Sequence, residues 1–117
     1  MGEKPELRHP AAREALEEMG FASTLEYVAH VAGLVLRETG LLPHINAGCM
    51  TPDEIAMLRK TSASMGIMLE SVSSRLCEKG QVHYGSPDKD PALRLQTLED
   101  CGRAGVPFTT EIGRAHV

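Results

Sequence analysis

Apolar residues recur at helical spacing in several stretches of the chain, and short apolar runs separate the later stretches. The helical spacing predicts helices over residues 10–19, 24–39, 52–65 and 91–104. The short runs predict strands over residues 41–46, 67–69 and 106–110. After an opening pair of helices, the chain is therefore expected to alternate between strand and helix.

Capping residues and glycines define the expected helix ends. Ser23 and Glu26 have capping-box spacing, in which the Ser23 side chain binds the Glu26 amide and Glu26 reaches back to the Ser23 amide. Thr51 and Glu54 repeat this pattern at the start of the third helix. Gly66 is expected to end that helix and to lead directly into the next strand.

The alternation of strands and helices predicts an α/β fold with parallel strands joined by helical crossovers. An open doubly wound sheet and a segment of a (β/α)8 barrel both fit this order, and periodicity does not separate them. In both folds, ligands bind at the carboxyl ends of the strands. Glu70 follows the apolar strand 67–69 at such an end, so it is the first candidate binding residue.

Composition narrows the classes of partner. The chain has 117 residues, 42% of them hydrophobic and 24% charged, with a net charge of −4 and few aromatic side chains. These values are typical of a globular domain and argue against a nucleic-acid surface. No apolar run is long enough for a membrane span and no signal peptide is visible, so we expect a cytoplasmic protein. Three widely spaced cysteines do not predict a metal site.

Four segments resemble a specific family, namely residues 2–6, 39–48, 69–71 and 83–91. They are similar to the radical S-adenosylmethionine subunit of FO synthase, which makes the deazaflavin chromophore of coenzyme F-420. The resemblance runs from Gly2 to about Thr110, and the string His83-Tyr84-Gly85-Ser86-Pro87-Asp88-Lys89-Asp90-Pro91 is its most specific part.

The resemblance implies a partial (β/α)8 TIM-type barrel, roughly strands 3 to 5 with their helices. It implies S-adenosylmethionine and a [4Fe-4S] cluster as cofactors, and a hydroxybenzyl adduct of a ribitylaminouracil as substrate. A companion FO synthase subunit or fused domain and an electron donor are the implied partners. Two alternatives stay open: a stand-alone α/β binding or scaffold domain without redox chemistry, and a sibling radical enzyme of deazaflavin or menaquinone synthesis.

The sequence departs from the family pattern at both ends. The CxxxCxxC motif that holds the cluster is absent, and in the family it lies upstream of the residue matching Gly2. We therefore expect an amino-terminally truncated piece, inactive alone, with residues 1–110 forming the partial barrel. Residues 111–117 are expected to be a non-native tail.

The resemblance also suggests binding residues. Gly2 and Glu3 match the loop that receives the amino group of S-adenosylmethionine, although a solvated turn is the ordinary alternative. Glu70 is expected to contact the ribose or methionyl part, with Ser71 as a hydrogen-bonding neighbour. A carboxylate at a strand end is costly to bury without a partner, so a salt bridge, for example to Arg75, is the alternative for Glu70.

Three polar residues are candidates for substrate binding. His44 and Asn46 share a strand parity, so both are expected to point to the barrel interior, and His83 lies in the long loop. Each is also compatible with a purely structural role. No catalytic residue is assignable, because the cofactor carries radical chemistry while the protein orients and shields the reactants. No metal ligand is expected within the chain itself.

Overall fold

The structure is a computed structural model that describes residues 3–112. Its helices are α1 (Pro10–Glu18), α2 (Thr24–Thr39), α3 (Pro52–Arg59) and α4 (Pro91–Arg103). Its strands are β1 (His44–Ile45), β2 (Ser64–Met68) and β3 (Phe108–Glu111). Short 3-10 turns lie at Pro5–Leu7, Ser74–Cys77 and Pro87–Lys89. No helix within residues 3–112 is both long and apolar enough to cross a membrane.

The described strands form one parallel sheet in the order β1-β2-β3. Ile45 pairs with Met65 across β1 and β2, and Met65 pairs with Phe108 across β2 and β3. Helix α3 connects the first pair of strands, and a long loop followed by α4 connects the second. The predicted α/β class and parallel pairing are confirmed.

One face of the sheet carries the hydrophobic core. Ile45 and Met65 are buried there with Ile55 and Leu58 of α3 and with Cys101 of α4. The opposite face bears the residues of the other strand parity. Its described side chains include those of His44 and Thr109, and both are exposed. The helices thus cover one face of the sheet and leave polar groups on the other.

Helix α3 begins with the complete predicted capping box, in which Thr51 and Glu54 each bind the backbone of the other. Helix α2 makes half of its predicted box. The Ser23 hydroxyl accepts from the Glu26 amide, but the Glu26 carboxylate accepts from the Ala22 amide at 2.8 Å rather than from Ser23. The carboxylate therefore reaches one residue further back than expected.

The prediction that α3 runs to a stop at Gly66 is wrong. The helix ends at Arg59, where the Ser62 hydroxyl binds the Leu58 carbonyl, and β2 has begun by Ser64. Gly66 lies inside β2. A Cβ at this position would come within 3.0 Å of His44 Nε2 and 3.1 Å of Thr109 Oγ1. The glycine permits close packing on the polar face and does not stop a helix.

Strand β1 is shorter than the predicted strand over residues 41–46. Pro43 has no amide hydrogen to donate, although its carbonyl accepts from the Ala63 amide at 2.9 Å. Regular pairing begins at His44, one residue later. At the other end of the chain, Glu111 closes β3, so the last described strand extends one residue into the segment expected to be a tail.

Candidate functional site

A cleft of about 380 Å³ opens beside the carboxyl ends of β1 and β2. Its walls come from five parts of the chain: the segment Glu3–Pro5, the start of α2, the loop after β1, the end of β2 at Met68, and the region around the start of α4. The polar and charged residues that line it are Glu3, Lys4, Thr24, Asn46, Lys89 and Arg94. This is the edge of a parallel sheet at which ligands bind.

Arg94, the fourth residue of α4, lines the cleft and is only 2% exposed. Its Nε donates to the Met68 carbonyl at 2.6 Å. Its Nη1 donates to Glu3 Oε1 and to the Asp88 carbonyl, both at 2.7 Å. A buried guanidinium is tolerated only when such acceptors replace water, and here three separate segments supply them.

Glu3 is held at both carboxylate oxygens. Oε1 binds Arg94, and Oε2 accepts from the Cys49 amide at 2.8 Å. The side chain lies directly on Gly48, where a Cβ would stand 1.9 Å from Glu3 Cδ, and Gly48 has a φ of +80°. Glycine is therefore required at this position by both the space and the backbone conformation.

Glu70 lies two residues beyond β2, and its Oε1 binds Lys89 Nζ at 2.5 Å. The salt bridge considered for Glu70 is thus made, with Lys89 in the place suggested for Arg75. Glu70 has a φ of +67°, and the Ser71 amide donates to the Leu69 carbonyl at 2.8 Å. A positive φ inside an i to i+2 hydrogen bond is characteristic of the strained γ-turn. Such strain at a strand end is a recurrent feature of ligand sites.

Ser71 is the last residue of this turn. Its hydroxyl stabilises the following loop, because it accepts a hydrogen bond from the Ser73 amide at 3.0 Å. Gly2, the remaining residue expected to bind S-adenosylmethionine, lies outside the described residues. Glu3 lines the cleft, and Glu70 is joined to the cleft wall through Lys89. Of the three candidates that the structure describes, Glu3 is the one that lines the cleft itself.

His44 and Asn46 lie on the same strand parity, and Asn46 lines the cleft. His44 lies two residues before Asn46 and further from the cleft. Its Nδ1 is 2.8 Å from Ser64 Oγ, and its ring lies against Gly66. Both side chains are on the polar face of the sheet. Asn46 lines the cleft and His44 does not.

His83 is in a different environment. It is only 6% exposed and lines a separate cavity of about 220 Å³ within the long loop, together with Cys77 and Pro87. Its amide donates to the Leu76 carbonyl at 2.9 Å. This geometry ties the His83 backbone to the internal structure of the loop.

Arg94 was missed by the sequence analysis, although a signal existed. Buried residues on α4 recur at helical spacing at Pro91, Arg94, Thr97 and Cys101. An arginine within such a buried stripe must meet several acceptors, because its charge is not lost at any physiological pH. Periodicity could have identified it, but the acceptors lie far away in the chain and were not predictable.

Two further ion pairs lie at or near the cleft. Lys4 binds Glu54 at 2.6 Å, and Arg8 binds Asp88 at 2.6 Å. Burial opposes ionisation of both carboxyls, but the bonds from Lys4 and Arg8 outweigh it, so the pKa of each carboxyl is lowered. Both carboxylates therefore stay charged well into the acidic range.

The cysteines do not fit an iron–sulfur cluster. Within residues 3–112 no group of three histidine, cysteine, aspartate or glutamate side chains is arranged to hold a metal ion. Burial, with the negative charge of Glu3 next, raises the pKa of the Cys49 thiol, and burial likewise raises the pKa of Cys101. Metal ligation requires the thiolate, and these surroundings oppose it.

Comparison with known proteins gives close relatives. The chain is 55% identical over 113 residues to FO synthase of Nocardia farcinica, covering 96% of this chain and 13% of that protein. It is 55% identical over 111 residues to FO synthase of Mycobacterium tuberculosis, again covering 13% of the relative. The 7,8-didemethyl-8-hydroxy-5-deazariboflavin synthase of Methanopyrus kandleri is 46% identical over 111 residues, which span 33% of its length.

No family model matches the chain, and no solved structure matches it. The matched segment nevertheless covers nearly all of the chain in every relative named above. The resemblance stated from the residues is therefore confirmed. Over almost its whole length, the chain is homologous to one segment of FO synthase.

Proposed function

We propose that the chain forms part of the S-adenosylmethionine side of an FO synthase barrel, corresponding roughly to strands 3 to 5 of a (β/α)8 fold. The cleft beside the carboxyl ends of β1 and β2, lined by Glu3, Asn46 and Lys89, carries this proposal. The all-parallel sheet supports it, as does the cover of helices on one face only. In a closed (β/α)8 barrel the helices form the outer ring, so the face of the sheet that carries no helices would turn inward.

S-adenosylmethionine fits the residues that are present. A volume of about 380 Å³ lies within the range of small-molecule sites, and the carboxylate of Glu3 suits an ammonium group. Glu70 suits ribose hydroxyls, and Ser71 and Gly2 complete the candidate set. When bound, this cofactor supplies the radical chemistry. The chain's own residues bind it, orient it and exclude water.

The [4Fe-4S] cluster does not fit the described residues, which offer no group of three suitable ligands. In the proposal its ligands come from another part of the protein. Asn46 and His44 then face the substrate on the polar side of the sheet, and His83 orders the loop that carries Lys89. The deazaflavin precursor, a companion subunit or domain and an electron donor belong to the proposed whole enzyme, which the chain only partly spans.

A chimera tests this function directly. The matching segment of the Nocardia farcinica FO synthase is replaced by residues 3–112 of this chain, and deazaflavin and 5′-deoxyadenosine formation are measured anaerobically. We expect the chimera to keep both activities. A folded chimera that binds a cluster yet forms neither product would refute the assignment to this enzyme and favour a binding or scaffold domain.

Glu70→Gln in the chimera tests the candidate site. Loss of a charge-assisted hydrogen bond is worth about 1.5–3 kcal/mol, so kcat/KM for S-adenosylmethionine should fall roughly 10- to 100-fold. The matched control is Glu99→Gln, which removes a carboxylate from an exposed ion pair with Arg103 on the far part of α4. If kcat/KM for S-adenosylmethionine were the same in the two variants, Glu70 would not be part of the binding site.

A further inference from the structure

We propose that Arg94 is a positioning residue that sets the geometry of the cleft. A single guanidinium binds the end of β2 at Met68, the amino-terminal segment at Glu3, and the loop before α4 at Asp88. The role of Arg94 in holding these segments stands on this geometry alone. The statement that it thereby positions groups for S-adenosylmethionine rests on the proposed function.

Two of the three acceptors come from parts of the chain that are distant from Arg94 in sequence. Met68 and Glu3 lie 26 and 91 positions away from Arg94 in sequence. Arg94 itself is fixed, because α4 is anchored to the core through Cys101 and its N-cap Asp90 binds the Ala92 amide. The helix thus presents a planar, permanently charged donor group to three other segments of the chain.

Both candidate carboxylates depend on this contact. Glu3 is bound by Arg94 directly. Glu70 depends on Arg94 indirectly. Arg94 binds the carbonyl of Asp88, and the next residue, Lys89, binds Glu70. The loss of Arg94 would therefore loosen Glu3 and shift Lys89, while the core side chains Ile55 and Leu58 keep their packing.

Hydrogen exchange at two neighbouring amides can measure whether Arg94 holds Glu3 in place. The Cys49 amide is held by Glu3, whereas the Met50 amide is held by Thr97 Oγ1 at 3.1 Å. Arg94→Lys keeps the charge but lacks the forked donors needed to hold three acceptors. In the chimera, we expect this variant to speed hydrogen exchange at Cys49 at least 10-fold and to leave exchange at Met50 unchanged.

The ligand readout uses S-adenosylmethionine itself. Arg94→Lys should raise its Kd at least 10-fold. The matched control is Arg103→Lys, on the same helix, where the arginine is exposed and pairs with Glu99 and Asp100. This control should leave both the exchange rates and the Kd unchanged.

The possible outcomes separate the two proposals. Unchanged exchange at Cys49, or equal acceleration at Cys49 and Met50, would overturn the positioning role. Faster exchange at Cys49 with an unchanged Kd would show that the segments Arg94 holds do not serve the ligand, which also overturns it. An unsubstituted chimera that binds no S-adenosylmethionine would refute the proposed function, while the exchange contrast would still decide whether Arg94 positions Glu3.

Discussion

Gly48 shows how one backbone position determines where a functional side chain lies. Its φ of +80° turns the chain after β1, and the missing Cβ leaves room for the Glu3 carboxylate. Glu3 then reaches both Arg94 and the Cys49 amide. A methyl group at this position would force Glu3 away and leave the buried guanidinium short of an acceptor.

Gly48→Ala should therefore destabilise the protein by more than backbone strain alone explains. Strain at a positive φ costs roughly 1 kcal/mol, and an unsatisfied buried charge adds about 1–3 kcal/mol. The control is Gly20→Ala, which has a similar φ of +81° but open space around the new methyl. Urea unfolding of both variants isolates the contact with Glu3. Equal losses of stability would show that the contact contributes nothing.

At the start of helix α3, the Glu54 carboxylate accepts hydrogen bonds from two different donors. Glu54 accepts from the Thr51 amide within the capping box and from Lys4 of the amino-terminal segment. The helix start thereby ties the cleft wall to the sheet. Both bonds are stronger to the ionised carboxylate than to the neutral carboxyl. The pKa of Glu54 is accordingly lowered in the folded state, despite the opposing effect of burial.

A carboxyl group with a lowered folded-state pKa stabilises the protein above its ordinary pKa, and this stability is lost as the pH falls. For Glu54 the loss begins near the ordinary value of 4.5 and continues below it. Thermal unfolding measured from neutral pH to about pH 3 should show a smaller acid-induced fall in Tm for Glu54→Gln than for the unsubstituted protein.

Lys4→Met should reproduce this flattening, because it removes the main partner that lowers the pKa of Glu54. The carboxyl pKa values of Glu6 and Asp88 are also lowered. Burial raises them, but the hydrogen bonds from Thr24 to Glu6 and from Arg8 to Asp88 outweigh this effect. Some acid sensitivity will therefore remain in every variant. Parallel Tm curves for Glu54→Gln and the unsubstituted protein would exclude a contribution from Glu54.

Across the described molecule, the sheet is covered on one side only. Strands β1 and β3 lie at its two edges, and the polar face carries exposed side chains. Leu41 and Leu42 are exposed immediately before β1, with Leu42 74% exposed. An unpaired parallel edge beside exposed leucines is a template for association with another chain.

The 117-residue chain on its own should self-associate with rising concentration, and Leu42→Lys should weaken this association by placing a charge beside the β1 edge. The control is Leu7→Lys, since Leu7 is equally exposed at 73% but lies outside the sheet. Sedimentation velocity over a range of concentrations measures the effect. A monomeric chain, or equal effects of the two substitutions, would contradict the role of the edge.

The fold class was predictable because local patterns carry it. Capping residues, helical spacing and short apolar runs determined the number and order of the helices and strands, and they placed Glu70 at a strand end. The extent of α3 was not predictable. Gly66 looks like a helix stop in sequence, and only the packing of His44 and Thr109 against it shows that it belongs to a strand.

The sequence by itself determined the elements, the parallel α/β class and the resemblance to FO synthase, since each depends on residues close together in the chain. Only the tertiary structure decided how the cleft is built. Arg94 meets Glu3 and Met68 through contacts that span 91 and 26 positions, and Glu70 meets Lys89 across the long loop. Such contacts arise from chain packing, so no local pattern specifies them.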